Sequence, residues 1–534
     1  MTQTPQHAAP EPRAGAREWA ALAVLTVAVV LLGVDGTVLG LAIPALARDL
    51  DPSAAEILWI GDIYSFVLAG LLVTMGNVAD RVGRRRLLLI GTTGFGLVSV
   101  MAAFAPSAGV LIAARALQGV FGATIMPSTL SLIRNIFPDP ATRTTAIAVW
   151  GAGSTAGMAV GPALGGFLLQ HYWWGSVFLI NAPIMVLVLA TGVLLLPESR
   201  NDAGARVDLL SSVLSIGAIV PLVLAVKTLA HDGLTLTVAV AAVVGLALGY
   251  LFLRRQRGLA EPLIDVSLFR LPAFTWSVLS NVIAIFAMVG LLYFFSQYLQ
   301  LVREYSTLRA GLAELPLSLA SIAVVLVIGA LVARLGQGRT IGVGQLLTTI
   351  GLAGFALAEG ASSYVWLGLA LALIGAGSGI AFTVATDAVL GSVPAERSGA
   401  ASAISETGME MGAALGIAVL GTVQDLGYRA FLGSSGHDAA AAHGSLAALS
   451  AGTDRSDAGS LELLAHGQEA FTHAMQVTAS LAAVLVLVSA VMAFRHVPSP
   501  TGAARRATDG RPEGRSDGGA DVRTDGVVVE GAAA

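Results

Sequence analysis

The chain contains no cysteine, one lysine and few charges of either sign. Only 12% of its 534 residues are charged while 55% are hydrophobic, against roughly 25% charged residues in soluble domains. A soluble body of this size could not cover its surface with so few charges, so most apolar residues must face lipid and a soluble enzyme is excluded. Without cysteine there can be no disulfide, iron-sulfur cluster, thiolate metal site or catalytic thiol. The one lysine, Lys227, follows no glycine-rich loop. A G-x-x-x-x-G-K-[ST] phosphate loop is therefore impossible, and the chain cannot hydrolyse ATP as a P-loop pump does. The eight histidines lie outside the apolar stretches or at their edges, which disfavours a histidine proton relay and an intramembrane metal cluster. No metal or cofactor is expected. With 30 basic and 34 acidic residues, net -4, nothing suggests nucleic acid as a partner.

Hydropathy is what the chain has in abundance. Apolar stretches of roughly 20 residues begin near Trp19, Ile57, Leu87, Val110, Thr145, Trp174, Leu209, Leu234, Phe274, Leu312, Ile341, Val365, Ala400 and Thr472. They predict an all-α polytopic membrane protein of about fourteen spanning helices, each apolar around its circumference. Basic residues favour the cytoplasmic side; with the amino terminus inside, inner segments collect 23 of the 30. Both termini are therefore expected in the cytoplasm. The polar start runs into a full-length span without a small-residue cleavage site, so no cleavable signal peptide is expected.

An internal repeat divides the chain. GMAVGPALG at 157–165 matches GMEMGAALG at 408–416, and DRVGRRR at 80–86 more weakly matches ARLGQGR at 333–339. Six spans thus repeat in parallel as another six, with two spans inserted between them. The expected organisation is a cytoplasmic tail at 1–18, an amino-terminal six-helix half at 19–200 and a two-helix linker at 201–257. A carboxy-terminal six-helix half follows at 258–497, with a long outer loop at about 425–470 that reads either as a partly helical flap or as a disordered loop. The tail at 498–534, rich in Gly, Arg and Asp, reads as disordered.

Several residues suggest working parts. In GNVADRVGRRR, 76–86, Gly83 suits a tight turn, and Asp80 is placed to pair with an arginine or a neighbouring helix end, making a latch that breaks when two halves rock. Gly157, Gly161 and Gly165 recur every four residues and allow close helix approach, while Pro162 permits a bend. Five ionisable residues lie inside spans: Asp35, Asp62, Arg115, Glu406 and Glu410. Each costs at least ~2.5 kcal/mol at the bilayer centre unless paired or wetted. Arg115 can pair with Asp35, Asp62 or both. Glu406 and Glu410 share one helix face; neighbouring carboxylates in low dielectric resist joint ionisation, which would hold a proton until a cation arrives. Asp387 and Glu314 read as ordinary interfacial acids. Tyr293, Gln297 and Tyr298 could line a mixed cavity wall or anchor the helix at the interface.

These motifs resemble the major facilitator superfamily. Its loop signature G-x-x-x-D-R-x-G-R-R is matched by Gly76, Asp80, Arg81, Gly83, Arg84 and Arg85, the fourth-span motif by LIAARALQG at 111–119, and the antiporter motif by GMAVGPALGG at 157–166. VDGTVLGLAIP at 34–44 and WIGDIYSFVLAG at 59–70 are similar to the fourteen-helix drug:proton antiporter branch. Gly40 stands where that branch usually has asparagine, and Ala333 replaces the acid of the second loop copy. The resemblance implies two six-helix halves, a gating role for the glycine motif, and a monomer driven by protons that exports lipophilic, cationic small molecules. Exporting a native antibiotic or metabolite by the same mechanism remains open, as does a transport-inactive role in cell-envelope assembly.

Overall fold

Several apolar runs are preceded by a Ser, Thr or Asp that can take over N–H groups left unpaired at a helix start. The computed structural model describes residues 15–52, 54–199, 209–259, 262, 264–360, 363–394, 397–433, 446, 449–450, 453 and 456–499. Its helices are α1 (Ala16–Leu50), α2 (Ala54–Val82), α3 (Arg84–Ala103), α4 (Ala108–Ile136), α5 (Pro140–His171), α6 (Ser176–Leu179), α7 (Asn181–Leu195), α8 (Leu209–Asp232) and α9 (Leu236–Gln256). There follow α10 (Pro272–Leu301), α11 (Thr307–Ala313), α12 (Leu315–Ala323), α13 (Ile328–Leu335), α14 (Gln337–Ala358), α15 (Tyr364–Gly391), α16 (Ser398–Gly433) and α17 (Ala458–His496). Ser107 caps α4 by accepting from the Val110 N–H, Thr235 caps α9 and Asp457 caps α17. Asp139 caps α5, and hydrogen bonds from Thr142 hold its carboxyl below the usual range.

Twelve helices among the described residues are long and apolar enough to cross a membrane, and α8 adds a shorter apolar run, Leu210–Val226. Leu97, Val186, Leu194 and Leu246 are each more than 60% exposed, as side chains facing lipid would be. The chain is a multi-pass membrane protein. Helices α1 to α7 pack among themselves around Leu25, Phe95, Ile133 and Trp150. A second bundle, α10 to α17, encloses Phe295, Phe355, Leu371 and Met475. Between them in sequence, α8 lays Val223 against Phe66 of α2 and Ala414 of α16, so the inserted hairpin leans on both bundles.

Helix ends differ from the hydropathy reading in three places. The span expected from Leu312 is broken into α11, α12 and α13, with a 3₁₀ turn at Val324–Leu326. The outer loop expected at 425–470 is shorter, because α16 continues to Gly433 and α17 begins at Ala458. Leu, Ala and Glu there favour helix although the segment is too polar for a span. The tails at 1–14 and 500–534 and most of 434–455 lie outside the described residues.

Candidate functional site

In the first bundle an arginine and an aspartate from distant turns meet in a fully buried polar network. Arg115 Nη1 of α4 donates to Asp35 Oδ2 of α1 at 2.8 Å, and both side chains are almost wholly buried. Asn181 Nδ2 of α7 donates to the other oxygen, Asp35 Oδ1, at 2.7 Å. Ser99 Oγ of α3 accepts from Gln118 Nε2 at 2.8 Å and from Asn181 Nδ2 at 3.2 Å, while Gln118 Oε1 accepts from Arg115 at 3.1 Å. The guanidinium lies 4.6 Å from the ring centre of Tyr64 on α2 and 5.8 Å from that of Phe178 on α6. Every element of this bundle except α5 thus contributes a group. Low dielectric makes such a pair costly to break from one side, about 3–5 kcal/mol.

The acids of the second bundle occupy the α16 face that meets the first. Gly76 of α2 sits so close to Gly399 and Ala403 that an added Cβ would collide with the Gly399 carbonyl and the Ala403 methyl. Ala403, Glu406 and Glu410 succeed one another at spacings of three and four, so the acids continue that face. Glu406 is 4% exposed and its Oε1 has no protein hydrogen-bond partner. Glu410 acts electrostatically on Glu406 and also on Tyr64, the residue stacked on Arg115. Tyr64 thus stands between the Asp35–Arg115 network and Glu410 at the seam between bundles. Burying an unpaired charge is expensive, so a bound proton and a neighbouring cation are the two alternatives for Glu406.

At one end of the molecule, here the motif end, Asp80 meets both an arginine and the end of a neighbouring helix. Gly83, at φ 112°, makes the turn between α2 and α3, and a side chain there would strike the Glu198 carboxylate. Arg84 then donates Nε and Nη2 to Asp80 Oδ1 at 3.0 and 2.9 Å. The same carboxylate accepts the N–H groups of Gly399 and Ala400 at 3.2 and 3.3 Å. Asp80 thus caps the start of a helix in the other bundle, at the positive end of that helix's dipole. Arg81 takes no part among the described contacts; Arg85 Nη2 donates to the Val193 carbonyl.

A second crossing was misjudged from the sequence. Asp387 of α15 is fully buried, not the interfacial acid expected. It accepts from Arg143 Nε of α5 at 2.5 Å, from Thr144 Oγ1 at 2.8 Å and from Gln337 Nε2 of α14 at 3.0 Å. Nearby, Arg134 of α4 donates to the Val393 carbonyl, and Trp150 of α5 stacks on Phe382 of α15 with 8° between planes. Asp387 thus forms an ion pair across the seam, and its mate, in the other half, escapes any search within one repeat. Asn181, Gln118 and Ser99 were also missed; uncharged polar residues in apolar runs are too common to stand out.

The glycine repeat is a packing device in both copies. An added Cβ at Gly157 would strike the Val30 carbonyl of α1, at Gly161 the Thr37 side chain, and at Gly416 the Phe286 carbonyl of α10. Gly165 is buried on the same helix. Asp62 and Pro162 lie on α2 and α5, but their side chains fall outside the described residues. Tyr298 lines no cavity. It is 1% exposed in the second core, with its hydroxyl donating to the Glu359 carbonyl and accepting from Arg303. Tyr293, 52% exposed, and the half-buried Gln297 remain on the accessible side of α10.

The sequence pattern of the Major Facilitator Superfamily matches residues 25–417. The chain is 44% identical to the multidrug efflux pump LfrA of Mycolicibacterium smegmatis over 90% of its own length and 97% of LfrA. It is 37% identical to the methyl viologen resistance protein SmvA of Salmonella typhimurium, covering 76% of this chain and 82% of that one. Among solved structures, the proton:xylose symporter XylE superposes with a TM-score of 0.61 at 13% identity, over 92% of this chain and 98% of XylE; that likeness concerns the fold.

Proposed function

The chain belongs to the Major Facilitator Superfamily, and from that premise we propose that it is a proton-coupled exporter of lipophilic cations in a bacterial inner membrane. The observation that carries the coupling is Glu406: a carboxyl buried in the seam between halves with an oxygen that no protein group satisfies. The relatives named for multidrug efflux and for resistance to methyl viologen, a dication, support the substrate class. In this reading α5 and α8 complete fourteen spans, the motif end and both termini face the cytoplasm, and one chain suffices without a cofactor.

The cycle follows from the seam. With the motif end latched, the substrate chamber faces outward and protons displace the cation from Glu406 and Glu410, while Asp35, held by Arg115, joins the exchange only when that pair opens. When the latches at Asp80 and Asp387 part, the chamber faces inward, the protons leave and the carboxylates accept the next cation. The membrane potential contributes ~2.3 kcal/mol per charge per 100 mV and each pH unit ~1.4 kcal/mol. Two protons per monovalent cation draw on both terms; one proton per cation draws on the pH term alone. In this reading Tyr293 and Gln297 contribute to the chamber wall, and the glycine face of α5 lets the helices slide.

The test is efflux of ethidium, a lipophilic cation, from cells producing the chain, with and without an uncoupler. Export abolished by uncoupler and by Glu406→Gln is expected; uncoupler-insensitive export would refute proton drive.

A further inference from the structure

Below Glu406 the second bundle contains a column of buried polar side chains that packing alone does not require. On α16, Ser398, Ser402 and Glu406 are spaced by four and lie on one face leading to the motif end. Ser402 and Ser405 are buried, and neither hydroxyl has a protein partner. Facing elements match them. On α10, Ser277 and Asn281 are buried with Ser277 Oγ and Asn281 Oδ1 unpartnered, and Asn281 Nδ2 donates to Thr386 Oγ1 of α15 at 3.2 Å. The next residue of α15 is Asp387. One apolar cluster, holding Val278, Val389, Ala401 and Ile404, brings these three helices together at this depth. Ser277, Ser402 and Ser405 are sequence neighbours of its members and so lie at the same depth of these packed helices. Unsatisfied buried polar atoms cost roughly 1–3 kcal/mol each, and an apolar helix contact would avoid that.

We propose that this column is the route by which Glu406 exchanges its proton with the motif end, with Asp387 as the last acceptor. The inference rests on the reading of Glu406 as a coupling acid. Hydroxyls can accept one proton while donating another. Glu406 gives up its acid proton to the column, each hydroxyl passes on its own, and the Asp387 carboxylate receives one and releases it to water. Glu406 ends as a carboxylate, one proton has left and nothing is oxidised. While the halves are latched, Arg143 occupies Asp387 and the route is closed at its end. Parting of the halves removes Arg143, so proton release is confined to the open state. The charged group acting on Glu406 from its own helix is Glu410. Of the helices packed on α16, α2 carries Glu56, Asp62, Tyr64, Asp80 and Arg81, α4 carries Arg115 and Arg134, α8 carries Lys227, His231 and Asp232, and α15 carries Tyr364 and Asp387. The titratable groups of α10 are Tyr293 and Tyr298, and those of α17 are Glu462, His466, Glu469, His473, Arg495 and His496.

The full chain in proteoliposomes, driven by a pH gradient with tetraphenylphosphonium as probe, tests the route. The triple variant Asn281→Ala, Ser402→Ala, Ser405→Ala should lower kcat at least tenfold and leave the probe's KM within twofold. Raising pH on the motif-end side should restore part of the rate, and a solvent deuterium isotope effect should exceed the parent's. Ser402→Thr, which keeps the hydroxyl, should retain the parental rate. A triple variant with parental kcat and isotope effect overturns the route, while an uncoupled Glu406→Gln in the same assay leaves the coupling reading standing. A Glu406→Gln protein with parental pH dependence overturns both.

Discussion

Asp387 on α15 is joined to Arg143 on α5 at 2.5 Å, and this pair differs in kind from the Asp80 contact beside it. Asp80 draws its charge partner, Arg84, from its own half and reaches across only to two backbone N–H groups. If the halves part, Asp80 keeps its arginine. Asp387 keeps only Gln337, so its charge is compensated in the latched state alone. The ion pair should therefore hold the latched state more firmly than the motif that sequence comparison highlights.

The missing cysteines make this measurable. Ala403 is fully buried against Gly76, and Ala403→Cys would be the only thiol in the chain. Maleimide labelling of that thiol should be slow in the parent background and about tenfold faster with Asp387→Asn, a change equivalent to ~1.4 kcal/mol. Asp80→Asn should accelerate it less. Equal labelling in all three backgrounds would place the latch elsewhere.

The Asp35–Arg115 network should be a stability element as well as a site. Arg115→Ala leaves Asp35 buried beside Asn181 alone, and a loss of about 3–5 kcal/mol is expected. Asn181→Ala strands one Asp35 oxygen and should cost about 1–3 kcal/mol. Thermal melting in detergent gives the order: parent, then Asn181→Ala, then Arg115→Ala. An Arg115→Ala protein as stable as the parent would mean that the pair contributes nothing to folding.

Glu359, beyond the end of α14, gives a pH dependence with a defined sign. It is 2% exposed, neither carboxylate oxygen has a protein partner, and burial pushes its carboxyl well above the usual range. Between the unfolded value of about 4.3 and this raised value, the unfolded chain is ionised while the folded chain keeps the proton. The folded state then binds more protons, so this group makes stability fall as pH rises through that window. Glu359→Gln removes the effect. Its unfolding free energy relative to the parent should rise between pH 5 and pH 8, by at most about 1.4 kcal/mol per pH unit. An offset that is the same at both pH values would contradict the assignment.

What could be read in advance follows from where charges are costly. Asp35, Arg115, Glu406 and Glu410 stood out because they interrupt apolar runs, and Asp80 because its turn glycine and arginines are adjacent in sequence. Asp387 did not, because an acid near a span end is cheap and its partner lies 244 residues away in the other half. Tyr298 was misplaced because an aromatic cluster in a helix apolar on all sides does not encode which face turns inward. The Ala458 start of α17 was invisible to hydropathy because its first turns are helical without being apolar.

In the proposed cycle Glu406 and Glu410 exchange a bound proton for a cation. The most direct test of that exchange is proton release from the purified protein in weakly buffered detergent, followed with a pH indicator as tetraphenylphosphonium is added. Saturable release of one to two protons per chain, on the order of the two available acids, is expected, and its loss in the Glu406→Gln, Glu410→Gln double variant. Undiminished release from a double variant that still binds the cation would contradict the exchange.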